Sequence, residues 1–168
     1  LLKVLGVRVT HPVKGTYCFD PSRLNVADAD TEILKKLATQ LRGSVMILGP
    51  LLARFGKVTI PNPGGDRIGR RRLDTHFAGM HKLGATCVYD KKEDTYLVEA
   101  KTLKGNYILL DEASVTGTAN LIMAASLARG TTTLYNAACE PYIQQLCKML
   151  VNMGAKIEGI GSNLLTIH

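Results

Sequence analysis

The feature that most constrains the fold is an internal repeat. Residues 5–7, 83–85 and 153–155 each read as an apolar residue, a glycine and a small apolar residue, and each is followed by two strand-like segments separated by a polar turn. The pattern predicts a helix that ends at a glycine and passes into a β-hairpin. Because it recurs three times in 168 residues, we interpret it as part of a repeated structural unit.

A second mark lies between these hairpins. Apolar helical stretches end at Gly56 and Gly130, and both lead into strand patterns, at residues 57–60 and 131–135. After each strand, a loop opens an amphipathic helix. The unit is therefore strand, helix, strand, helix, strand, strand (βαβαββ), and the chain holds nearly two complete copies and the tail of a third. This predicts an α/β (α+β) fold in a single domain over residues 1–168.

The two amphipathic helices carry apolar residues at helical spacing. Their stripes are Leu73, Phe77, Met80 and Leu83 in the first helix, and Ile143, Leu146, Cys147, Leu150 and Val151 in the second. Residue 1 falls inside the helical turn that precedes Gly6, and the chain has no initiating Met. We therefore expect it to be an excised fragment of a longer protein.

Composition excludes several classes of protein. With 46% hydrophobic residues the chain can bury a core, and no apolar run approaches the roughly 20 residues that span a bilayer. No basic and apolar leader is present, so we expect a soluble cytoplasmic protein without membrane contact. The four cysteines form no CxxC pair, which predicts buried free thiols and neither a metal site nor a disulfide framework.

The net charge of +7 favours an anionic partner, which could be nucleic acid, an anionic surface or a small phosphorylated substrate. Only 5% of the residues are aromatic, which argues against a platform that stacks nucleic-acid bases.

The most unusual segment is residues 61–74, PNPGGDRIGRRRLD, with two prolines, three glycines and four arginines. Glycines let the backbone approach a ligand closely, arginines bind phosphate or carboxylate through paired hydrogen bonds, and Asp66 could exchange a proton. From the residues alone, a solvated basic loop is the alternative.

Residues 113–120 follow a strand pattern at 107–110 and open an apolar helix, so their N–H groups and hydroxyls suit an anion. Plain N-capping by Thr116 or Thr118 is the alternative. Arg42 occupies the equivalent place in the preceding repeat, and the two helix starts are expected to face one cleft. His76 is interpreted as a surface or packing residue, as is His81.

These motifs together resemble the UDP-N-acetylglucosamine 1-carboxyvinyltransferase (MurA) family of enolpyruvyl transferases. The matching segments, in chain order, are residues 42–44, 48–56, 63–71, 73–74, 114–118, 127–132 and 136–141. The resemblance implies an inside-out α/β barrel of the EPSP synthase-like type, with two domains that each contain three βαβαββ copies. It further implies transfer of the enolpyruvyl group of phosphoenolpyruvate to the 3′-hydroxyl of UDP-N-acetylglucosamine, the first committed step of peptidoglycan synthesis, without a cofactor or a metal.

The resemblance also assigns roles to individual residues. Arg42 and Arg71 match arginines that contact the phosphoenolpyruvate phosphate, and Asp66 matches the reactive position of the loop. Asp74 matches a residue of the uridine pocket, and the segment Ser114, Val115, Thr116 matches the one that touches the diphosphate and the uracil. The catalytic Lys and the second domain's Asp and arginines lie outside this chain, so its partner would be that second domain and the fragment alone is expected to be inactive.

Three positions depart from the family pattern. Asp66 stands where most members have Cys, so we expect insensitivity to fosfomycin, the epoxide that alkylates that Cys. Arg72 replaces a proline that packs on the uracil, and Glu112 replaces a lysine near the diphosphate. The alternative functions are an EPSP synthase that uses shikimate 3-phosphate, a nucleic-acid-binding module of related fold, and a purely structural fragment.

Overall fold

The fold is that of a computed structural model, which describes residues 1–26, 31–65 and 72–168. The helices are α1 (Thr31–Ala38), α2 (Leu48–Phe55), α3 (Asp74–Lys82), α4 (Val115–Ala125) and α5 (Pro141–Asn152), with a 3-10 helix at Arg42–Ile47 directly before α2. The strands are β1 (Arg8–Thr10), β2 (Cys18–Asp20), β3 (Lys57–Pro61), β4 (Thr86–Asp90), β5 (Thr95–Glu99), β6 (Tyr107–Leu109), β7 (Thr132–Tyr135), β8 (Ile157–Glu158) and β9 (Leu164–Ile167).

The strands form three sheets that follow the predicted repeat. The first is the β1-β2 hairpin, the second has the order β3-β5-β4, and the third has the order β6-β7-β9-β8. In the third sheet β6 is parallel to β7, and β7 is antiparallel to β9, just as β3 is antiparallel to β5 in the second. The segment from β6 to β9 is thus one complete βαβαββ unit, and the α/β fold class is confirmed.

The three predicted helix ends share one hydrogen-bond pattern. Gly6, Gly84 and Gly154 all have positive φ, at 87°, 95° and 107°. The residue after each glycine donates its N–H to the carbonyl five residues earlier, at 3.1, 3.0 and 3.0 Å. This is the Schellman motif, and glycine is favoured there because it adopts the left-handed conformation without a Cβ penalty. Each motif turns the chain directly into a hairpin.

Helix α4 lies at the centre of the helical layer and packs against α2, α3 and α5. Its side chains are buried nearly all round, and Leu121, Ile122 and Ala124 are fully enclosed. Such a helix is typical of a core position. It begins at Val115, earlier than the predicted apolar stretch, because the Ser114 side chain caps it.

The inward faces of the sheets complete the core. Ile108, Leu134 and Leu165, from neighbouring strands of the third sheet, join the same cluster as the helices. A cavity of about 550 Å³ runs beside β3, and none of its lining residues belongs to the predicted site. The cavity lies next to β3 as β6 lies next to β7 in the third sheet.

The predicted environment of the cysteines is partly wrong. Cys147 is buried and Cys87 is partly buried, but Cys18 and Cys139 are exposed. All four are free thiols. Burial raises the pKa of the Cys147 thiol, as it does that of Cys87, so these two are poor nucleophiles. In the described part of the chain, no helix has the length and apolar character needed to cross a membrane.

Candidate functional site

Arg42 opens the 3-10 helix that leads into α2. Leu41 before it is extended, with φ −138° and ψ 114°. Pro50 lacks the N–H that would bond to the carbonyl of Met46, so it is compatible only with the first turn of a helix. The regular α-helix accordingly starts at Leu48. The Arg42 side chain reaches across to another segment, where its Nη2 donates to the backbone oxygen of Arg72 at 2.9 Å.

Both flanks of the arginine-rich loop lie against Arg42. On the N-terminal flank, the N–H groups of Gly64 and Gly65 donate to the carbonyls of Ala38 and Thr39 at 3.1 and 3.2 Å. A Cβ on Gly64 would overlap the Thr39 carbonyl, and one on Gly65 would lie 2.9 Å from the Arg42 nitrogen. The glycine pair therefore lets the backbone approach Arg42 closely.

The C-terminal flank is Arg72, whose carbonyl binds Arg42. The residues between the flanks, 66–71, lie outside the described part of the chain. The predicted site residues Asp66 and Arg71 are among them, so their roles stay predictions.

A charged cluster joins the start of α3 to the loop before α4. Arg72 Nε lies 2.6 Å from Asp74 Oδ2, and Arg72 Nη2 lies 3.2 Å from Asp111 Oδ2. The hydrogen bond with Asp74 is the main cause that raises the pKa of the Arg72 guanidinium, with Asp111 and Glu112 adding attraction. Thr75 Oγ1 donates to Asp111 Oδ1 at 2.8 Å. The pairs are about half exposed, so they fix geometry more than they stabilise the fold.

The start of α4 contains the predicted segment Ser114, Val115, Thr116, and all three residues are partly buried. Ser114 is the N-cap, and its Oγ accepts the N–H of Gly117 at 3.2 Å. The sequence-based alternative of capping by Thr116 or Thr118 is wrong, because both hydroxyls bond elsewhere. Thr118 Oγ1 accepts the N–H of Ala138 at 3.0 Å, and Thr116 Oγ1 lies 3.3 Å from His76 Nε2.

His76 is the residue that sequence reasoning missed. It is only 2% exposed, which corrects the prediction of a surface residue and extends that of a packing residue. Burial, together with the nearby charge of Arg42, lowers its pKa to about 4, so the ring is neutral at pH 7. Its Nδ1 lies 2.9 Å from the Nδ2 of Asn120, a residue with no exposed surface. A polar Asn within an otherwise apolar helix was the signal that could have indicated a buried partner.

The structure thus brings Arg42, Asp74 and Ser114 to Thr116 together. Arg42 and Asp74 meet at Arg72, and His76 links the same region to Thr116. Asn120, in the middle of α4, accepts the N–H of Gly49 and donates to the carbonyl of Val45, which ties α4 to the segment that begins with Arg42. That the two helix starts face one cleft stays a prediction. A guanidinium beside an N-terminal turn can bind an anion. The described residues contain no group of three metal-ligating side chains.

Comparison with known proteins shows the family of the chain. The family model described as EPSP synthase (3-phosphoshikimate 1-carboxyvinyltransferase) matches residues 1–168. All of the chain aligns at 58% identity with the UDP-N-acetylglucosamine 1-carboxyvinyltransferase of Bacteroides thetaiotaomicron, and at 56% with that of Porphyromonas gingivalis. In both cases the chain spans 39% of the relative's length.

Among solved structures, the enolpyruvyl transferase NikO from Streptomyces tendae has the same fold. The TM-score is 0.78 at 20% identity, over 99% of this chain and 38% of that one. The match to the family model over the entire chain, together with this shared fold, shows that the chain belongs to the EPSP synthase family of enolpyruvyl transferases and is similar along its whole length to UDP-N-acetylglucosamine 1-carboxyvinyltransferases.

Proposed function

We propose that the chain is part of an enzyme that transfers the enolpyruvyl group of phosphoenolpyruvate to the 3′-hydroxyl of UDP-N-acetylglucosamine and releases phosphate. The observation that carries the proposal is the 58% identity over the full 168 residues to a relative named for this activity. Among the positions that match the family's substrate contacts, the described ones, Arg42, Asp74 and the start of α4, are connected through Arg72 and His76. The product would be the first committed intermediate of peptidoglycan synthesis in the bacterial cytoplasm.

On the phosphoenolpyruvate side, Arg42 and Arg71 would hold the phosphate. Arg42 keeps its guanidinium at the junction of the two loop flanks through the bond to the Arg72 carbonyl. A guanidinium presents its N–H donors in a rigid fork that matches the oxygens of a phosphate group. Arg71 directly precedes Arg72 in sequence, which supports its placement near the same phosphate.

On the nucleotide side, Asp74 and the start of α4 would hold UDP-N-acetylglucosamine. The N-terminal turn of α4 offers N–H groups and a positive dipole end to the diphosphate. Arg72 stands beside Asp74 and Asp111, where it offsets the negative charge that these carboxylates and Glu112 would otherwise present to the diphosphate. This pairing supports anion binding even though Glu112 stands where the family pattern has a lysine.

The reaction requires protonation of the methylene carbon of phosphoenolpyruvate and addition of the sugar hydroxyl to the neighbouring carbon. The tetrahedral ketal then collapses as phosphate leaves and the new methyl group loses a proton, which restores the carbon–carbon double bond. Arg42, which the Arg72 carbonyl holds in place, would stabilise the phosphate charge through both steps, because a preorganised donor needs no rearrangement as that charge develops. Asp66, at the family's reactive position, would relay a proton to the departing phosphate or assist product release.

The proposal is tested by phosphate release from the full-length protein with phosphoenolpyruvate and UDP-N-acetylglucosamine. We expect Arg42→Ala and Arg71→Ala each to lower kcat/KM for phosphoenolpyruvate by about tenfold or more, since a charge-assisted phosphate contact is lost. Arg54→Ala is the matched control, because Arg54 lies at the far end of α2 beside Phe55 and should not change the kinetics.

The acceptor is decided in the same assay. Turnover with shikimate 3-phosphate in place of UDP-N-acetylglucosamine would indicate the EPSP synthase reaction instead. A short RNA that binds tightly, with an affinity that falls steeply as salt is raised, would indicate a nucleic-acid module. Kinetics unchanged by Arg42→Ala would remove that residue from the phosphate site.

A further inference from the structure

The amide of Asn120 has an orientation that its partners determine. Its Oδ1 accepts the N–H of Gly49 at 2.8 Å, which identifies the other amide atom as nitrogen. That nitrogen donates one hydrogen to the carbonyl of Val45 at 2.8 Å. Its second hydrogen points to His76 Nδ1 at 2.9 Å. Asn120 is fully buried, so no solvent competes for these bonds.

This arrangement fixes the tautomer of His76. Because Nδ1 receives a hydrogen from Asn120, it must be the unprotonated ring nitrogen, and the neutral ring carries its own proton on Nε2. Nε2 lies 3.3 Å from Thr116 Oγ1, so Nε2–H donates to that hydroxyl oxygen. A second proton on Nδ1 would face the Asn120 amide hydrogen and give the ring a positive charge, which burial and the charge of Arg42 oppose.

The hydroxyl of Thr116 is thereby left with a hydrogen to donate. Its oxygen is occupied as an acceptor, and the part of the chain that the structure describes contains no acceptor bonded to this hydroxyl. Thr116 is partly exposed in the first turn of α4, whereas His76 behind it is buried. The hydroxyl hydrogen can therefore be donated to a ligand that reaches the exposed side of the helix start.

We propose that His76 is a positioning residue that orients the Thr116 hydroxyl as a donor to a diphosphate oxygen of the nucleotide sugar. The inference rests on the proposed function, and it adds His76 and Asn120 to the binding machinery. Asn120 is bonded to Gly49 and Val45, which belong to the segment that begins with Arg42. One set of hydrogen bonds therefore connects that segment, on the phosphate side, with the start of α4 on the nucleotide side.

Two substitutions of His76 separate its two contacts. Asn at position 76 places an amide atom at the distance of Nδ1, so it keeps the bond with Asn120 but cannot reach Thr116. Gln places an amide nitrogen at the distance of Nε2, so it keeps a donor to Thr116. If His76 had only a structural role, His76→Gln would weaken binding more than His76→Asn, because the main buried bond of the ring is with Asn120.

The experiment is calorimetric titration of the full-length protein with UDP-N-acetylglucosamine. We expect Thr116→Val to weaken binding by about tenfold and His76→Asn by about three- to tenfold, because a hydrogen bond to a charged oxygen is lost or misdirected. The double variant His76→Asn/Thr116→Val should bind no more weakly than Thr116→Val alone. His76→Gln should bind with an affinity within about threefold of that of the unsubstituted protein. Thr118→Val is the control, since it removes a hydroxyl from the same helix that bonds Ala138 instead.

A nitrogen-15 spectrum of the imidazole supplies a readout that does not depend on binding, and we expect the pattern of an Nε2–H tautomer. A protonated Nδ1, multiplicative losses in the double variant, or tight binding by Thr116→Val would each overturn the role of His76. Absence of nucleotide binding by the unsubstituted protein would instead overturn the proposed function. The two failures are therefore distinguishable.

Discussion

At the scale of single residues, the site depends on groups whose charge is controlled by their neighbours. Arg72 is held by Asp74 and Asp111, while His76 is kept neutral by burial and by Arg42. A neutral His76 donates through Nε2 and accepts through Nδ1, whereas an imidazolium would donate from both nitrogens and break the bond from Asn120. Protonation of this one ring therefore opposes folding.

This gives a sign for the pH dependence of stability. The folded pKa of His76, about 4, lies below its ordinary value of 6.5, so between these values the unfolded chain binds the proton and the folded chain does not. Stability is then lost as the pH falls from about 6.5 to about 4, by on the order of 3 kcal/mol from this group. Urea unfolding at pH 7 and pH 4.5 measures it.

Protonation of carboxylates also lowers the stability of the protein in acid. His76→Gln has no titratable group at position 76, so it measures this contribution alone. The unsubstituted protein should lose more stability than the variant over this pH range. Equal losses in the two proteins would show that the folded pKa of His76 is close to its ordinary value.

At the scale of secondary structure, the sequence was most informative where backbone conformation depends on one residue type. The glycines at 6, 84 and 154 marked three Schellman motifs, and each was followed by the predicted hairpin. The start of α4 was misjudged because Ser114, Thr116 and Thr118 are all plausible caps until their other partners are known.

The candidate site was only partly predictable for a related reason. Arg42, Asp74 and the start of α4 came from motifs, since each motif is local in sequence. His76 and Asn120 are 44 residues apart and meet only through the packing of α3 against α4, so no local pattern could pair them. Tertiary packing decides which polar residue in an apolar helix acquires a partner.

Packing of α2 against α4 yields a prediction at this scale. A Cβ on Gly49 would lie 2.3 Å from the backbone oxygen of Asn120 and 2.8 Å from its Oδ1, and a helix backbone cannot move aside locally. We expect Gly49→Ala to lower the free energy of unfolding by about 2–4 kcal/mol, as measured by urea denaturation, because the two helices must separate. Gly43→Ala is the control, since its Cβ would meet only the Leu41 side chain at 3.8 Å. Equal stability of the two variants would contradict the close crossing.

At the scale of the whole molecule, helices lie between sheets whose outer faces are open. Tyr107, Leu109, Tyr135 and Leu164 share the outer face of the third sheet, and each is more than two-fifths exposed. The core is nevertheless continuous from β3 to β9. The chain spans 39% of the length of the Bacteroides thetaiotaomicron relative, and the family resemblance predicts that a second domain completes the site.

The last prediction is that the 168-residue chain by itself releases no phosphate from phosphoenolpyruvate and UDP-N-acetylglucosamine. In the described part of the site, Arg42 and the start of α4 can bind anions, while His76 and Asp74 are held in other contacts. The ring nitrogens of His76 are both engaged, and Asp74 is paired with Arg72. The family resemblance predicts that the catalytic Lys and a catalytic Asp lie outside this chain. Circular dichroism would first establish that the isolated chain is folded, and the full-length protein at equal concentration is the positive control. General acid–base catalysis contributes about 10²- to 10⁴-fold to a rate, so a chain without its proton-transfer groups should be slower than the control by at least that factor. Turnover by the isolated chain within about tenfold of the control would show that this domain holds the whole proton-transfer machinery.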